Sequence, residues 1–142
     1  MKLVLDASMA LAWIFEREKP QEAACADNVL SAVASVKTTV PPLWHTELIN
    51  ALLVGERRRV VSEAQVIDYL NRLSGLPVIT DDAAPTARRD AVMALAREYL
   101  LTAYDATYLD LALRTDSVLA TFDSKLANAM RSAGGVVFGD MT

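Results

Sequence analysis

The sequence has one cysteine, Cys25, and one histidine, His45, in 142 residues. A lone cysteine excludes a secreted domain stapled by disulfides and any zinc site built on paired thiolates. Cys25 itself reads as a small apolar helix residue rather than a reactive thiol. His45, single and on a helix, reads as a surface or packing residue, so a histidine general base is not expected. No basic segment leads into an apolar run with a cleavage site, so no signal peptide is expected. No apolar run is long and unbroken enough to span a bilayer, which makes the cytoplasm the expected compartment, with no membrane partner. Positive charge is also short: the formal net charge is −4. Phosphate binding favours cations, yet a carboxylate site awaiting a divalent ion carries its own negative excess. Arg57, Arg58, Arg59, Arg88, Arg89 and Lys125 remain available for a basic patch. Repeats, low-complexity tracts and linkers are absent as well.

What is present is a globular pattern. Hydrophobic residues make up 53% of the chain and are spread along it. The length fits one domain over residues 1–142, burying roughly 68–70% of the unfolded surface, enough for a core without staples. Residues 2–5 form a short apolar run ending at Asp6, as a buried parallel strand would. Helices are predicted over 8–17, from Pro20 to about 36, from Pro42 to about 59, from Ser62 to about 75, over 85–100, over 102–114 and over 124–132. Strands are predicted over 37–40, 77–80, 117–121 and 136–138, the last after the Gly134-Gly135 turn. Short apolar strands alternating with helices predict an α/β sandwich of three layers, with helices on both faces of a short parallel sheet.

Four carboxylates need an explanation within that pattern. Asp6 and Asp123 fall just beyond predicted strands, at the edge of the sheet where open α/β folds bind ligands. Each has a plain alternative as the N-cap of the helix that follows. Glu47 sits among Leu43, Trp44, Ala51 and Val54 on a helix that is apolar nearly all round, where an ionised carboxylate needs a cation or a dense set of donors. Asp105 shares the apolar side of its helix with Leu101, Tyr108, Leu109 and Ala112, while Asp110 falls with Thr107 and Arg114 on the opposite, solvated side. A capping box from Thr102 would explain Asp105 without a ligand. Taken together, the four acids are expected at one edge of the sheet. Clustered carboxylates repel unless a cation sits between them, and hard divalent ions, Mg²⁺ or Mn²⁺, suit an all-oxygen set better than zinc does. Such ions promote phosphodiester hydrolysis.

The pieces Val4-Leu5-Asp6-Ala7-Ser8, Leu43-Trp44-His45-Thr46-Glu47-Leu48-Ile49-Asn50-Ala51-Leu52, Leu101-Thr102-Ala103-Tyr104-Asp105-Ala106-Thr107-Tyr108-Leu109 and Leu119-Ala120-Thr121-Phe122-Asp123-Ser124-Lys125-Leu126 occur in this order. Together they resemble the PIN-domain ribonucleases, most closely the VapC-type toxins of bacterial toxin–antitoxin pairs, over essentially the whole chain. The resemblance implies that Asp6, Glu47, Asp105 and Asp123 are the catalytic metal-binding acids and that Ser8 and Thr121 support them. It also implies an RNA substrate, a homodimer, and a small VapB-like antitoxin that neutralises the toxin. The reaction expected on such a site is hydrolysis by water, leaving a 5′-phosphate and a 3′-hydroxyl with no nucleophilic side chain. Asp6 and Asp105 would anchor one ion, and Glu47 and Asp123 would complete its shell or help hold a second.

Other readings stand beside this one. A PIN-like scaffold, or an RNA-processing nuclease without an antitoxin, would keep the same residues. A phosphotransfer enzyme of the haloacid-dehalogenase kind resembles Asp-x-Asp after its first strand, whereas here Ser8 takes the second place. A metal-dependent adhesion module resembles Asp-x-Ser-x-Ser, and here the second serine is Ala10. Arg57, Arg58 and Arg59 read as a solvated helix end facing the negative pole of the dipole, and Trp13 and Trp44 as core or dimer contacts rather than base-stacking surfaces.

Overall fold

A computed structural model describes residues 1–140; residues 141–142, the end of the expected domain, lie outside the described part. The chain runs β1 (Lys2–Leu5), α1 (Ala7–Leu11), α2 (Pro20–Val33), β2 (Lys37–Val40), α3 (Leu43–Arg57), α4 (Glu63–Ser74), β3 (Val78–Thr80), α5 (Pro85–Tyr99), α6 (Ala103–Arg114), β4 (Val118–Ala120) and α7 (Ser124–Ser132). The four strands pair in parallel in the order β3-β2-β1-β4. Helices cover both faces, giving the three-layer α/β/α sandwich. The central strand β1 is walled in on all sides, and Leu3, Val4 and Leu5 are fully buried with Leu119, Tyr108 and Leu109. Among the described residues no helix is long and apolar enough to cross a membrane.

Local chemistry sets most boundaries. Pro20 and Pro85 open α2 and α5, where a missing N–H costs nothing. Ser62 and Gln65 form a full capping box on α4. α5 ends at Leu100, held in the left-handed region at φ 55°. This helix buries none of its residues, and its packing is chiefly against α6.

Three expectations are corrected. The first helix is five residues long rather than running to residue 17. Trp13 is drawn onto α2, where its Nε1–H donates to Ala26 O at 2.9 Å. Trp13, Ile14 and Phe15 also pack on a small second cluster around Leu52, Val66 and Tyr69. The last strand, over 136–138, is reduced to a single parallel bridge between Leu119 and Val137. Asp140 then turns back, its N–H on Val137 O at 3.0 Å and its carboxylate on Arg131 Nε at 2.6 Å.

Asp110 is the third correction. It does not face solvent but is 5% exposed. Arg88, on α5, donates to both of its oxygens at 2.6 and 3.0 Å. Arg114, one turn on, lies 3.4 Å away. A buried carboxylate persists here because two guanidinium groups compensate it.

Candidate metal centre

Asp6 follows β1 directly and is 5% exposed. Although it occupies the N-cap position of α1, its side chain caps nothing there. Its Oδ2 instead accepts from Ser8 Oγ at 2.6 Å and Thr121 Oγ1 at 2.6 Å. Each hydroxyl thus directs its one hydrogen at Asp6 and accepts from a backbone amide in turn: Ser8 from Phe122 N–H at 3.0 Å, Thr121 from Asp123 N–H at 2.9 Å. Two hydroxyl relays therefore tie the ends of β1 and β4 into one rigid unit around a single carboxylate oxygen.

Glu47 comes from the second turn of α3 and is half-buried. Tyr108, from α6, donates its hydroxyl to Glu47 Oε1 at 2.6 Å. Asp105 stands at the third position of α6. Only the backbone half of the expected capping box is made, from Asp105 N–H to Thr102 Oγ1 at 3.1 Å, so the Asp105 carboxylate is not engaged as a cap. Asp123 does cap: its Oδ1 accepts from Leu126 N–H at 2.9 Å at the start of α7. A cap occupies one oxygen and leaves the other for a ligand.

The four acids, from four separate segments, line one open cleft of ≈ 320 Å³ together with Ser8, Leu11 and Asn50. They repel one another across it. Burial pushes the Asp6 carboxyl above its ordinary value, the Ser8 and Thr121 hydroxyls oppose this, and the Asp123 charge adds to it. Burial raises Glu47 as well, opposed by the Tyr108 hydroxyl and reinforced by Asp6 and Asp105. Asp105 is pushed up to about 6 by burial and by the Asp123 and Asp6 charges, with Lys125 opposing. Burial drives Tyr108 far above the ordinary phenol range, so it stays a neutral donor. His45 is not in the cleft; its Nε2 meets Thr80 Oγ1 at 2.8 Å, on an exposed part of the surface.

Among the described residues no three acid, histidine or cysteine side chains close into a ready-made cage. The donor set nevertheless fits a hard divalent ion. It is all oxygen, its members raise one another's proton affinity, and Mg²⁺ typically takes one or two carboxylates and keeps several waters. An open cleft lined by repelling acids suits such an ion better than a closed cage.

Two residues of this site were not anticipated in these roles, Tyr108 as the partner of Glu47 and Asn50 as a wall of the cleft. Both carry a signal in the sequence. Each lies three residues after a candidate acid, Tyr108 after Asp105 and Asn50 after Glu47, and so on the same helical face.

The family model of the PIN domain matches residues 3–131. The crystal structure of PAE2754 from Pyrobaculum aerophilum is similar at a TM-score of 0.70 and 26% identity, covering 99% of this chain and 86% of that one. That of FitAcB from Neisseria gonorrhoeae shares the fold at a TM-score of 0.63 and 17% identity, covering 96% of each. No curated protein sequence gives a significant match. The chain belongs to the PIN-domain family, whose members are typically nucleases.

Proposed function

We propose that this chain is a Mg²⁺- or Mn²⁺-dependent endoribonuclease, the toxin of a type II toxin–antitoxin pair. It would act in the cytoplasm as a homodimer and be held in check by a small VapB-like antitoxin. One observation carries the catalytic part: Asp6, Glu47, Asp105 and Asp123, scattered through the sequence, line a single cleft beyond the carboxyl ends of β1 and β4. The toxin–antitoxin part rests on the resemblance of the four sequence pieces to VapC-type proteins.

Asp6 and Asp105 are the natural anchors for an ion. Asp6 is immobilised by Ser8 and Thr121, and Asp105 carries a carboxylate that no cap engages. Glu47, oriented by Tyr108, and the second oxygen of Asp123 complete the shell or help hold a second ion. A bound divalent ion would supply Lewis acidity toward the phosphate and would ease loss of a proton from the attacking water. The protein contributes position. The hydroxyl relays fix Asp6, the amide of Asn50 lies in the cleft as a polar group for the phosphate, and Lys125, near enough to lower Asp105, offers a cation to the chain of phosphates. The one serine of the cleft, Ser8, spends its hydroxyl on Asp6 and on the Phe122 amide, and among the described residues no cysteine or histidine lines the cleft, so hydrolysis by water, yielding a 5′-phosphate and a 3′-hydroxyl, is the reaction this arrangement favours.

The test is incubation with total RNA in Mg²⁺, in Mn²⁺ and in chelator, beside Asp105→Asn. The proposal expects metal-dependent cleavage leaving 5′-phosphates, abolished in a variant that stays folded. Intact metal binding without cleavage of any RNA class would contradict it and favour a scaffold.

A further inference from the structure

A second concave site lies across α6 from the acid cleft. It is a slot of ≈ 260 Å³ with Pro41, Pro42, Pro85, Val92, Met93 and Leu111 among its walls. Arg88, Arg89 and Arg114 face Asp81 and Asp110 along its polar side. Two of these guanidinium groups are fixed. Arg88 grips Asp110 through two hydrogen bonds, and Arg114 pairs with both Asp110 and Asp81. Arg89 is exposed and leaves the slot with a surplus positive charge.

Helix α6 separates slot and cleft: Ala103 and Thr107 line the slot from one face, and Asp105, two residues from each, lines the cleft from the other. Pro42 lines the slot and leads directly into α3, whose Glu47 lines the cleft. Both sites open at the carboxyl ends of the same parallel strands, the slot beyond β2 and β3, the acids Asp6 and Asp123 beyond β1 and β4. Two strand spacings are about 10 Å, within reach of neighbouring nucleotides on one extended strand.

The slot lies below the roughly 300–1,000 Å³ of pockets for drug-sized ligands, so its size suits one planar ring system. Splayed bases of single-stranded RNA stack on aromatic side chains or on arginine guanidinium planes and are hydrogen-bonded at their edges; among the described residues the slot has no aromatic wall and offers guanidinium planes. Here the Thr107 hydroxyl, which donates to Ala103 O at 2.7 Å and keeps its lone pairs, offers an acceptor, and Arg89, which is exposed, offers donors.

We propose that this slot takes one base of the single-stranded RNA held at the acid cleft, and thereby selects a nucleotide near the scissile bond. The inference rests on the ribonuclease reading. A second copy of this chain is the rival occupant, since Met93 on the slot wall is 45% exposed. Concavity and the apolar walls favour a base, and the charge of Arg89 favours the phosphate that accompanies it.

Val92→Phe fills the slot from α5, a helix that buries no residue, and Arg89→Glu reverses an exposed charge. Neither replaces a residue lining the acid cleft. The four nucleoside 5′-monophosphates are titrated into the labelled chain with Mg²⁺ by NMR, and cleavage of a sequence-randomised RNA is mapped for parent and variants. The inference expects one nucleotide to shift the Arg89, Thr107 and Leu111 amides. It also expects both variants to raise KM about tenfold and to lose base preference at one fixed position from the cut, with Mg²⁺ affinity unchanged. Cleavage with unmoved preference and KM in both variants overturns the inference alone, as does conversion of a dimer to a monomer by Val92→Phe in sedimentation. Absence of cleavage by the parent overturns the ribonuclease reading, and the inference with it.

Discussion

Tyr108 and Glu47, on different helices and 61 residues apart, share a hydrogen bond of 2.6 Å in which the phenol donates. The bond places a neutral, buried donor against the one acid that α3 contributes to the cleft, and so fixes the spacing between α3 and α6. Tyr108→Phe deletes that donor and little else. The expected loss is about 1–2 kcal/mol of unfolding free energy, read by urea denaturation in chelator. Divalent-ion affinity should fall as well, because Glu47 becomes free to turn away. A variant as stable as the parent would mean that water replaces the phenol at no cost.

The hydroxyl relays around Asp6 are unequal. Thr121 is buried and Ser8 is half-buried. Thr121→Val removes a donor to Asp6 and the acceptor for Asp123 N–H together, and should cost about 2 kcal/mol; Ser8→Ala, where water can enter, should cost about 1 kcal/mol. Thermal melts of the two variants check the order. Equal losses would contradict the relay account.

Mutual repulsion of the acids has a pH signature. Asp105 is pushed up to about 6 in the folded, metal-free chain, from an ordinary value of 3.8. The folded state therefore holds this proton more tightly than the unfolded state does. Its burial and repulsion penalty is complete above about pH 6 and is relieved as the pH falls toward 3.8. In chelator, the parent should gain stability relative to Asp105→Asn between pH 7 and pH 5. Mg²⁺ should stabilise most above pH 6, where it meets no proton competition. A parent-minus-variant difference that is flat, or that rises with pH in chelator, would count against the shared cleft.

α5 buries no residue and is clamped through Arg88 to Asp110. Asp110→Ala should cost about 2 kcal/mol, less than a fully buried pair would, because Arg88 is half-exposed. Amide exchange should then speed up along residues 85–99 before it does in β1. Uniform acceleration over the whole chain would show instead that Asp110 supports the global core.

Much of this was legible in the chain itself. Strand-ending acids, proline helix starts and the apolar face around Glu47 all depend on near neighbours, and they gave the layers and the edge where the acids meet. What was not legible depends on partners distant in sequence. Asp110 sits on a helix face that looks solvated until Arg88, from another helix, closes over it. The helix predicted over 8–17 stops early, where Trp13 turns its indole N–H to Ala26 O on α2. The strand predicted over 136–138 shrinks to one bridge at Val137, where the chain turns at Gly139, in the left-handed region at φ 103°, and brings Asp140 back to Arg131. Capping chemistry was ambiguous for a physical reason, since an aspartate after a strand can cap, ligate or both. Asp123 caps, Asp6 does not, and only the local geometry distinguishes them.

The most direct test is a Mn²⁺ titration of the purified chain followed by electron paramagnetic resonance, beside Asp6→Asn and Asp105→Asn. The account predicts saturable binding by the parent and a marked loss in both variants, with their folds intact. No saturable binding by the parent would contradict it, and the four acids would then be a cap, a packed carboxylate and two bystanders in an inert cleft.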